Sequence, residues 1–197
     1  MRMAHKKQPR KIFITENKKI MKVAIISDTH DNIPNITKVL DYCRENKIEK
    51  LIHCGDLAEI ETLDYLRENF AGDIFWTFGN MDRGHAADYP FADGKYKSIN
   101  IFSKHGEVEI ANKKIAFVHF PEYARKLAEE GKFDYVFYGH THKPWTEIVQ
   151  GERYGNIKEC EMLNPGNVAN QYYPPTFAVW DDKDYKFQLI LINRLSQ

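Results

Sequence analysis

Five apolar runs in this chain have the length and the β-branched and aromatic character of buried strands, and each ends on a residue able to bind a metal ion. Val23-Ala24-Ile25-Ile26 leads into Asp28-Thr29-His30, Leu51-Ile52 into Gly55-Asp56, and Ile74-Phe75-Trp76 into Gly79-Asn80. Ile115-Ala116-Phe117-Val118 leads into His119, and Tyr135-Val136-Phe137-Tyr138 into Gly139-His140-Thr141-His142. In open α/β sheets the carboxyl ends of the strands line one crevice, so residues far apart in sequence converge there. Two aspartates, four histidines and an asparagine suffice for two divalent cations sharing one carboxylate.

Taken singly, each motif has an ordinary explanation. Asp-x-His after a strand is commonly a turn with a capping side chain. Gly-Asp and Gly-Asn are turn dipeptides, because glycine reaches positive φ freely and Asp or Asn caps the backbone. His119 alone reads as a hydrogen-bonded core histidine. The i, i+2 pair His140 and His142 is more telling, since an extended segment sends both imidazoles to one side. The order of the motifs and their repeated placement at strand ends set the functional reading apart.

The spacing between the motifs predicts helices on the first crossovers. Pro34 suits a first helical turn, and Ile36, Val39, Leu40 and Cys43 form one apolar face. A second helix is predicted from Leu57 to about Phe70, and a third around Tyr123, Leu127 and Ala128, stopped by Gly131. The segment from Arg83 to Gly106 reads as a loop-rich excursion. Short strands near 107–110 and 114–118 pair across Asn112-Lys113, and an antiparallel set is expected beyond residue 142, at 145–149, 160–163, 176–180 and 187–192. Strands alternating with helices and then a meander give α/β class, as two facing sheets flanked by helices, an α/β/β/α sandwich. Trp145, Tyr172 and Tyr173 are assigned to core or interface rather than to a base-stacking wall.

The motif order resembles that of the calcineurin-like metallophosphoesterase superfamily: Asp-x-His, Gly-Asp, Gly-Asn-His-Asp/Glu, His, then Gly-His-x-His. The resemblance extends from residue 28 to 142 in motifs and from about 21 to 192 with the flanking strands. The short chain and the run Leu163-Asn164-Pro165-Gly166 look most like the small single-domain phosphodiesterase branch. The resemblance implies a four-layer metallophosphoesterase sandwich. It further implies one cation at Asp28, His30 and His142, a second at Asn80, His119 and His140, and Asp56 bridging them. Asp56, Asn80 and His119 would carry catalysis, with Asn32, Asn80 and Met81 toward the substrate. The reaction expected is hydrolysis of a small phosphodiester by a metal-bridging hydroxide. The alternative is a non-catalytic metal-binding or protein-interaction scaffold of the same fold.

Carboxylates with imidazoles and no thiolate suit Mn2+, Ni2+, Fe2+, Co2+ or Zn2+, with Mn2+ favoured. Asp31 and Asp82 are the nearest acids for orienting the imidazoles. Two positions depart from the family pattern. Met81 replaces the histidine after Gly79-Asn80, the expected proton donor, and Phe120 replaces the glycine after His119. His85 is a second source for that proton.

At 197 residues the chain fits one domain, expected over 21–197, with residues 1–20 as a basic extension outside catalysis. Residues 1–20 carry seven basic residues and one acid, which leaves 21 basic and 27 acidic residues in the remainder, a balance of −6. An acidic body disfavours a nucleic-acid backbone as main partner. Within the extension, Ile12-Phe13-Ile14-Thr15 has the character of a small added strand. No 18-residue apolar stretch or secretory h-region is present, so no membrane partner is expected. Cys43, Cys54 and Cys160 lack metal or redox spacing and suit free thiols in a reducing cytoplasm. A homo-oligomer is left open.

Overall fold

The computed structural model describes residues 11–13, 21–82 and 98–195, the first three as backbone alone. In chain order the elements are β1 (Lys11–Phe13), β2 (Lys22–Ile26), α1 (Ile33–Glu45), β3 (Lys50–His53), α2 (Ile60–Asn69) and β4 (Asp73–Thr77). Next come β5 (Ile99–Phe102), β6 (His105–Ile110), β7 (Lys113–Val118), α3 (Pro121–Glu129) and β8 (Tyr135–Phe137). The chain ends with β9 (Trp145–Arg153), β10 (Asn156–Asn164), β11 (Thr176–Asp181), β12 (Lys186–Leu191) and a 3-10 turn at Ile192–Arg194.

Successive residues of β2 enter two different cores. Ala24 and Ile26 pack with the α1 residues Ile36, Val39 and Leu40 and the α2 residues Leu63 and Leu66. Val23 and Ile25 turn the other way, onto Phe117, Tyr135, Phe137 and Trp180. A strand covered on both faces needs an unbroken apolar run, and that is why β2 reads as one. In β7 the same division recurs: Ile115 and Phe117 face the central core, while Ala116 and Val118 meet Ala124, Leu127 and Ala128 of α3. Helices α1 and α2, one sheet, the second sheet and α3 therefore form four layers, the sandwich expected from the sequence.

One sheet has the order β12-β11-β2-β3-β4-β5 and the other β1-β6-β7-β8-β10-β9. Strands β2 to β5 run parallel, as do β7 and β8, so their carboxyl ends share one rim of the sandwich. That rim holds the site.

Three differences from the expected elements have clear causes. Strand β5 lies within the span read as loop, where the I-N-I-F alternation of residues 99–102 is too short to stand out; residues 83–97, with His85, lie outside the described residues. Strand β10 is antiparallel to β9 but parallel to β8, so the later strands are not uniformly antiparallel. Helix α2 starts at Ile60 rather than Leu57, because Ala58, its N–H held by Asp82, sits at φ +90°, outside the helical region. The basic extension does add the small strand that its sequence suggests: β1 pairs parallel with the β6 edge, Ile12 opposite Val108. Among the described residues no helix is long and apolar enough to cross a membrane. Cys43, Cys54 and Cys160 are buried and unpaired, and burial pushes the thiols of Cys43 and Cys160 up to about 12.

Candidate metal centre

Three of the strands that reach this rim, β2, β3 and β8, are followed by residues in a backbone conformation that turns the chain sharply. Asp28, His30, Asp56, His140 and His142 all have φ between +39° and +69°. Asp and His are among the few non-glycine residues that enter this left-handed region, and five together mark a strained, functional rim. His140 and His142 thus lie in a turn after β8, not in an extended segment. Their rings still enter the same crevice, at different ends.

Asp28, Asp56 and His119 form the buried floor, and His140 and Asn80 stand at the exposed rim. Two groups of side chains bring potential ligand atoms within 4.8 Å of one another: Asp28, His30 and His142, and Asp28, Asp56 and His119. Nε2 of His142 lies 3.3 Å from Oδ1 of Asp28. Oδ2 of Asp56 lies 3.4 Å from Nε2 of His119 and 3.7 Å from Nε2 of His30. Oδ1 of Asn80 is 3.1 Å from both His119 Nε2 and His140 Nδ1. All seven residues singled out in the sequence as ligands converge here. Asp28 belongs to both groups, a sharing the sequence reading gave to Asp56 alone.

Hydrogen bonds to backbone carbonyls fix two tautomers. A carbonyl only accepts, so Nδ1–H of His119 donates to Cys54 O at 2.9 Å and Nδ1–H of His142 donates to Gln171 O at 3.4 Å. Each neutral ring then turns an Nε2 lone pair into the crevice. For His119 that lone pair faces the oxygens of Asn80 and Asp56, an acceptor against acceptors. Nε2 of His30 is buried with no hydrogen-bond partner among the described residues. Such a set is relieved by cations, protons or metal. Without metal, burial lowers the affinity of His119 for a proton, but Asp56 and Asp28 more than offset it and its pKa is raised. His142 is raised chiefly by its bond to Asp28. Burial alone would raise the Asp56 carboxyl, yet His119, the Met81 N–H and His30 carry it below the ordinary range. Carboxylate and imidazole donors with an orphaned buried nitrogen fit divalent transition ions.

The support around these residues differs from the expected one. Among the described residues Asp82 touches no imidazole. Its carboxylate accepts the N–H groups of Asp56 (2.8 Å), Leu57 (2.9 Å), Ala58 (2.9 Å) and Gly79 (2.7 Å), clamping the β3 and β4 loops together. Asp31 likewise binds Glu59 N and Thr62 Oγ1 at the start of α2. Gly79 is required for the approach: a Cβ there would strike Asp56 Oδ1.

His53 and Asn167 were not singled out in the sequence. His53 Nδ1 accepts the N–H of Gly55 at 3.1 Å, so its Nε2–H donates to Thr29 Oγ1 at 3.0 Å, tying the first two loops. Its burial holds its pKa down at about 3, against the pull of Asp28 and Asp56. Asn164 donates to Gly139 O and Thr141 Oγ1, and Asn167 donates to His142 O. The Asn-Pro-Gly run is therefore a brace for the histidine turn. A polar residue at a strand end or in a loop, buried once the loops meet, is the only signal that finds such positions.

Asn32 does not face the crevice as a free amide. Its Oδ1 caps α1 through Asn35 N, and its Nδ2 donates to Ala169 O. Met81 is 48% exposed at the rim, its N–H donating to Asp56 Oδ1 at 2.9 Å. The Phe120 ring lies 5.0 Å from both His119 and His140, forming a wall. Trp145, Tyr172 and Tyr173 are exposed, so the core half of their core-or-interface assignment does not hold: Trp145 opens β9, and the tyrosines lie in the stretch 170–174, which runs over the surface while 164–169 are buried.

The fold and the site together define a phosphoesterase architecture. A family model for the calcineurin-like phosphoesterase superfamily domain matches residues 21–184, and the chain belongs to that superfamily. It is similar to phosphodiesterase MJ0936 of Methanocaldococcus jannaschii, with 29% identity over 175 residues that cover 87% of this chain and 99% of the relative. The solved structure of an archaeal phosphodiesterase superposes with a TM-score of 0.70 at 28% identity, covering 87% of this chain and 99% of that one. Vps29 of Entamoeba histolytica complexed with Zn2+ shares the fold, with a TM-score of 0.54 at 23% identity and coverage of 88% and 100%.

Proposed function

We propose that this chain is a dinuclear-metal phosphodiesterase that hydrolyses small phosphate diesters. Asp28, His30 and His142 would hold one divalent cation and Asn80, His119 and His140 the other, with Asp56 between them. The observation that carries this reading is the position of Asp56 Oδ2, which faces one imidazole from each set at 3.4 and 3.7 Å. Cations bound there lower the pKa of water and neutralise charge on the phosphoryl group.

The chain supplies the geometry. Cys54 and Gln171 hold the rings of His119 and His142 in the tautomers that present Nε2. Asn80 turns its oxygen inward, which leaves its amide N–H groups to meet a phosphate oxygen. Met81 offers a thioether at the rim, which donates no proton, so leaving groups of low pKa are favoured. The acidic body fits small substrates better than a nucleic-acid polymer. Mn2+ is the favoured ion, and the buried free thiols fit a cytoplasmic setting.

The test is reconstitution with Mn2+, Ni2+, Fe2+, Co2+ or Zn2+, followed by assay against aryl diesters, alkyl diesters and monoesters, with metal content measured alongside. Hydrolysis of aryl diesters above monoesters is expected. Two bound equivalents without hydrolysis of any ester would turn the assignment to the scaffold reading.

A further inference from the structure

Tyr172 is 91% exposed, yet its backbone is held in a tight turn by hydrogen bonds on either side. Its φ is +61°, a conformation that bulky L-residues rarely adopt and that glycine or asparagine takes with less strain. The N–H of Tyr173 donates to the carbonyl of Gln171 at 2.7 Å, so Tyr172 is the central residue of a γ-turn of the rare positive-φ kind. That same Gln171 carbonyl accepts Nδ1–H of His142, and the Tyr172 ring stands edge-on to the His142 ring at 5.3 Å. Asn167 locks the turn from below, accepting the N–H of Gln171 and donating to Tyr173 O. Hydrophobic burial does not explain a ring left almost wholly in water. The turn is built so that an aromatic face stands at the mouth of the crevice, at the His142 end, while Phe120 walls the opposite end.

We propose that Tyr172 is a stacking platform for a planar aromatic group carried by the substrate, making the chain selective for diesters with an aryl or nucleobase-bearing arm. This rests on the phosphodiesterase reading for what the crevice binds. The face of an aromatic ring stacks on any planar π-system, whereas a methyl or short alkyl arm gains little from it. Selectivity then comes from the platform and turnover from the floor of the site.

The test measures calorimetric affinity of the metal-loaded protein for three probes: methylphosphonate, phenylphosphonate and thymidine monophosphate. Wild type is expected to bind one or both aromatic probes about tenfold more tightly than methylphosphonate, toward the low end of what base–aromatic stacking contributes. Preference for phenylphosphonate alone assigns a directly attached aryl arm; preference for the nucleotide assigns a base one sugar away. Tyr172→Gly should abolish the preference, keep methylphosphonate affinity and metal content, and leave the melting temperature equal or higher, since glycine relieves the turn. Tyr172→Phe should retain the preference. An unchanged preference in Tyr172→Gly overturns the platform while leaving the phosphodiesterase reading intact. A Tyr172→Gly variant that loses metal or melts lower also overturns it, making the ring a support for His142. If the preference behaves as expected but wild type hydrolyses no diester, the platform stands and the phosphodiesterase reading falls.

Discussion

The carboxylate of Asp82 accepts the backbone N–H of Asp56 at 2.8 Å, so the residue at the centre of the site is held by an acid from the neighbouring loop. Three further N–H groups share that carboxylate, and Asp82 is fully buried. In Asp82→Asn one carboxylate oxygen becomes an N–H2 group that opposes N–H donors instead of accepting them. Hydrogen bonds to a charged acceptor contribute about 1.5–3 kcal/mol each, and a loss of about 3 kcal/mol is expected. Chemical unfolding measures it. Metal affinity should fall with stability, although Asp82 faces no ligand atom. A variant as stable as wild type would show that the clamp carries no load.

Metal and protons compete for the same imidazoles. In the metal-free protein His119 and His142 have raised pKa values, so their contribution is fully present below about 6.5 and is lost as pH rises through the raised values. Metal binding needs both rings neutral and therefore strengthens as pH rises. The gap in melting temperature between metal-loaded and chelator-treated protein should widen from pH 6 to pH 8. At a hundredfold excess over Kd the stabilisation is about 2.7 kcal/mol, or about 5–10 °C for a domain of this size. A gap that stays constant across that range would separate these histidines from metal binding.

His53 titrates with the opposite sign. It is neutral in the folded chain, with a pKa of about 3, and takes up a proton near 6.5 when unfolded. The unfolded state then binds the extra proton, so stability falls as pH drops from 6.5 toward 3, by at most about 1.4 kcal/mol per pH unit. Most of that window lies above the range in which carboxylates titrate. His53→Asn keeps an acceptor for the Gly55 N–H but loses the titrating ring, and should flatten unfolding free energy between pH 4.5 and 6.5. An unaltered slope in the variant would assign the acid sensitivity elsewhere.

The strands and the seven converging side chains were legible because they share one pattern: an apolar run with both faces buried, then a polar stop. Asp28 and His119 announce themselves by that contrast. The clamp of Asp82 did not, because three of its partners are backbone N–H groups 24 to 26 positions upstream that any sequence possesses. His53 was hidden at the end of β3, between the apolar pair Leu51-Ile52 and the more conspicuous Gly55-Asp56. The exposure of Tyr172 was not legible, because aromatic character signals burial on average, whereas its γ-turn depends on contacts with Asn167 and His142 that form only after folding. Local pattern thus revealed what each strand ends with, and tertiary contacts decided what each loop residue does.

Met81 takes the sequence position of the histidine in the family's motif, its N–H donating to Asp56 Oδ1 and its side chain half-exposed. A thioether cannot protonate a departing alkoxide, so alkyl leaving groups should react slowly and phenolates well. Met81→His places an imidazole at the same rim, exposed enough to hold and exchange a proton. General acid catalysis is worth 10²–10⁴-fold when well placed, and an introduced group should reach about tenfold on alkyl monoesters with little change on aryl diesters. His85, outside the described residues, is tested in parallel by His85→Ala, which should leave that pattern unchanged if Met81 marks the missing donor. The measurement is kcat on both substrate classes at equal metal content. If Met81→His changes both classes equally, while wild type already hydrolyses alkyl monoesters well, the proton comes from another group and leaving-group selectivity does not originate at Met81.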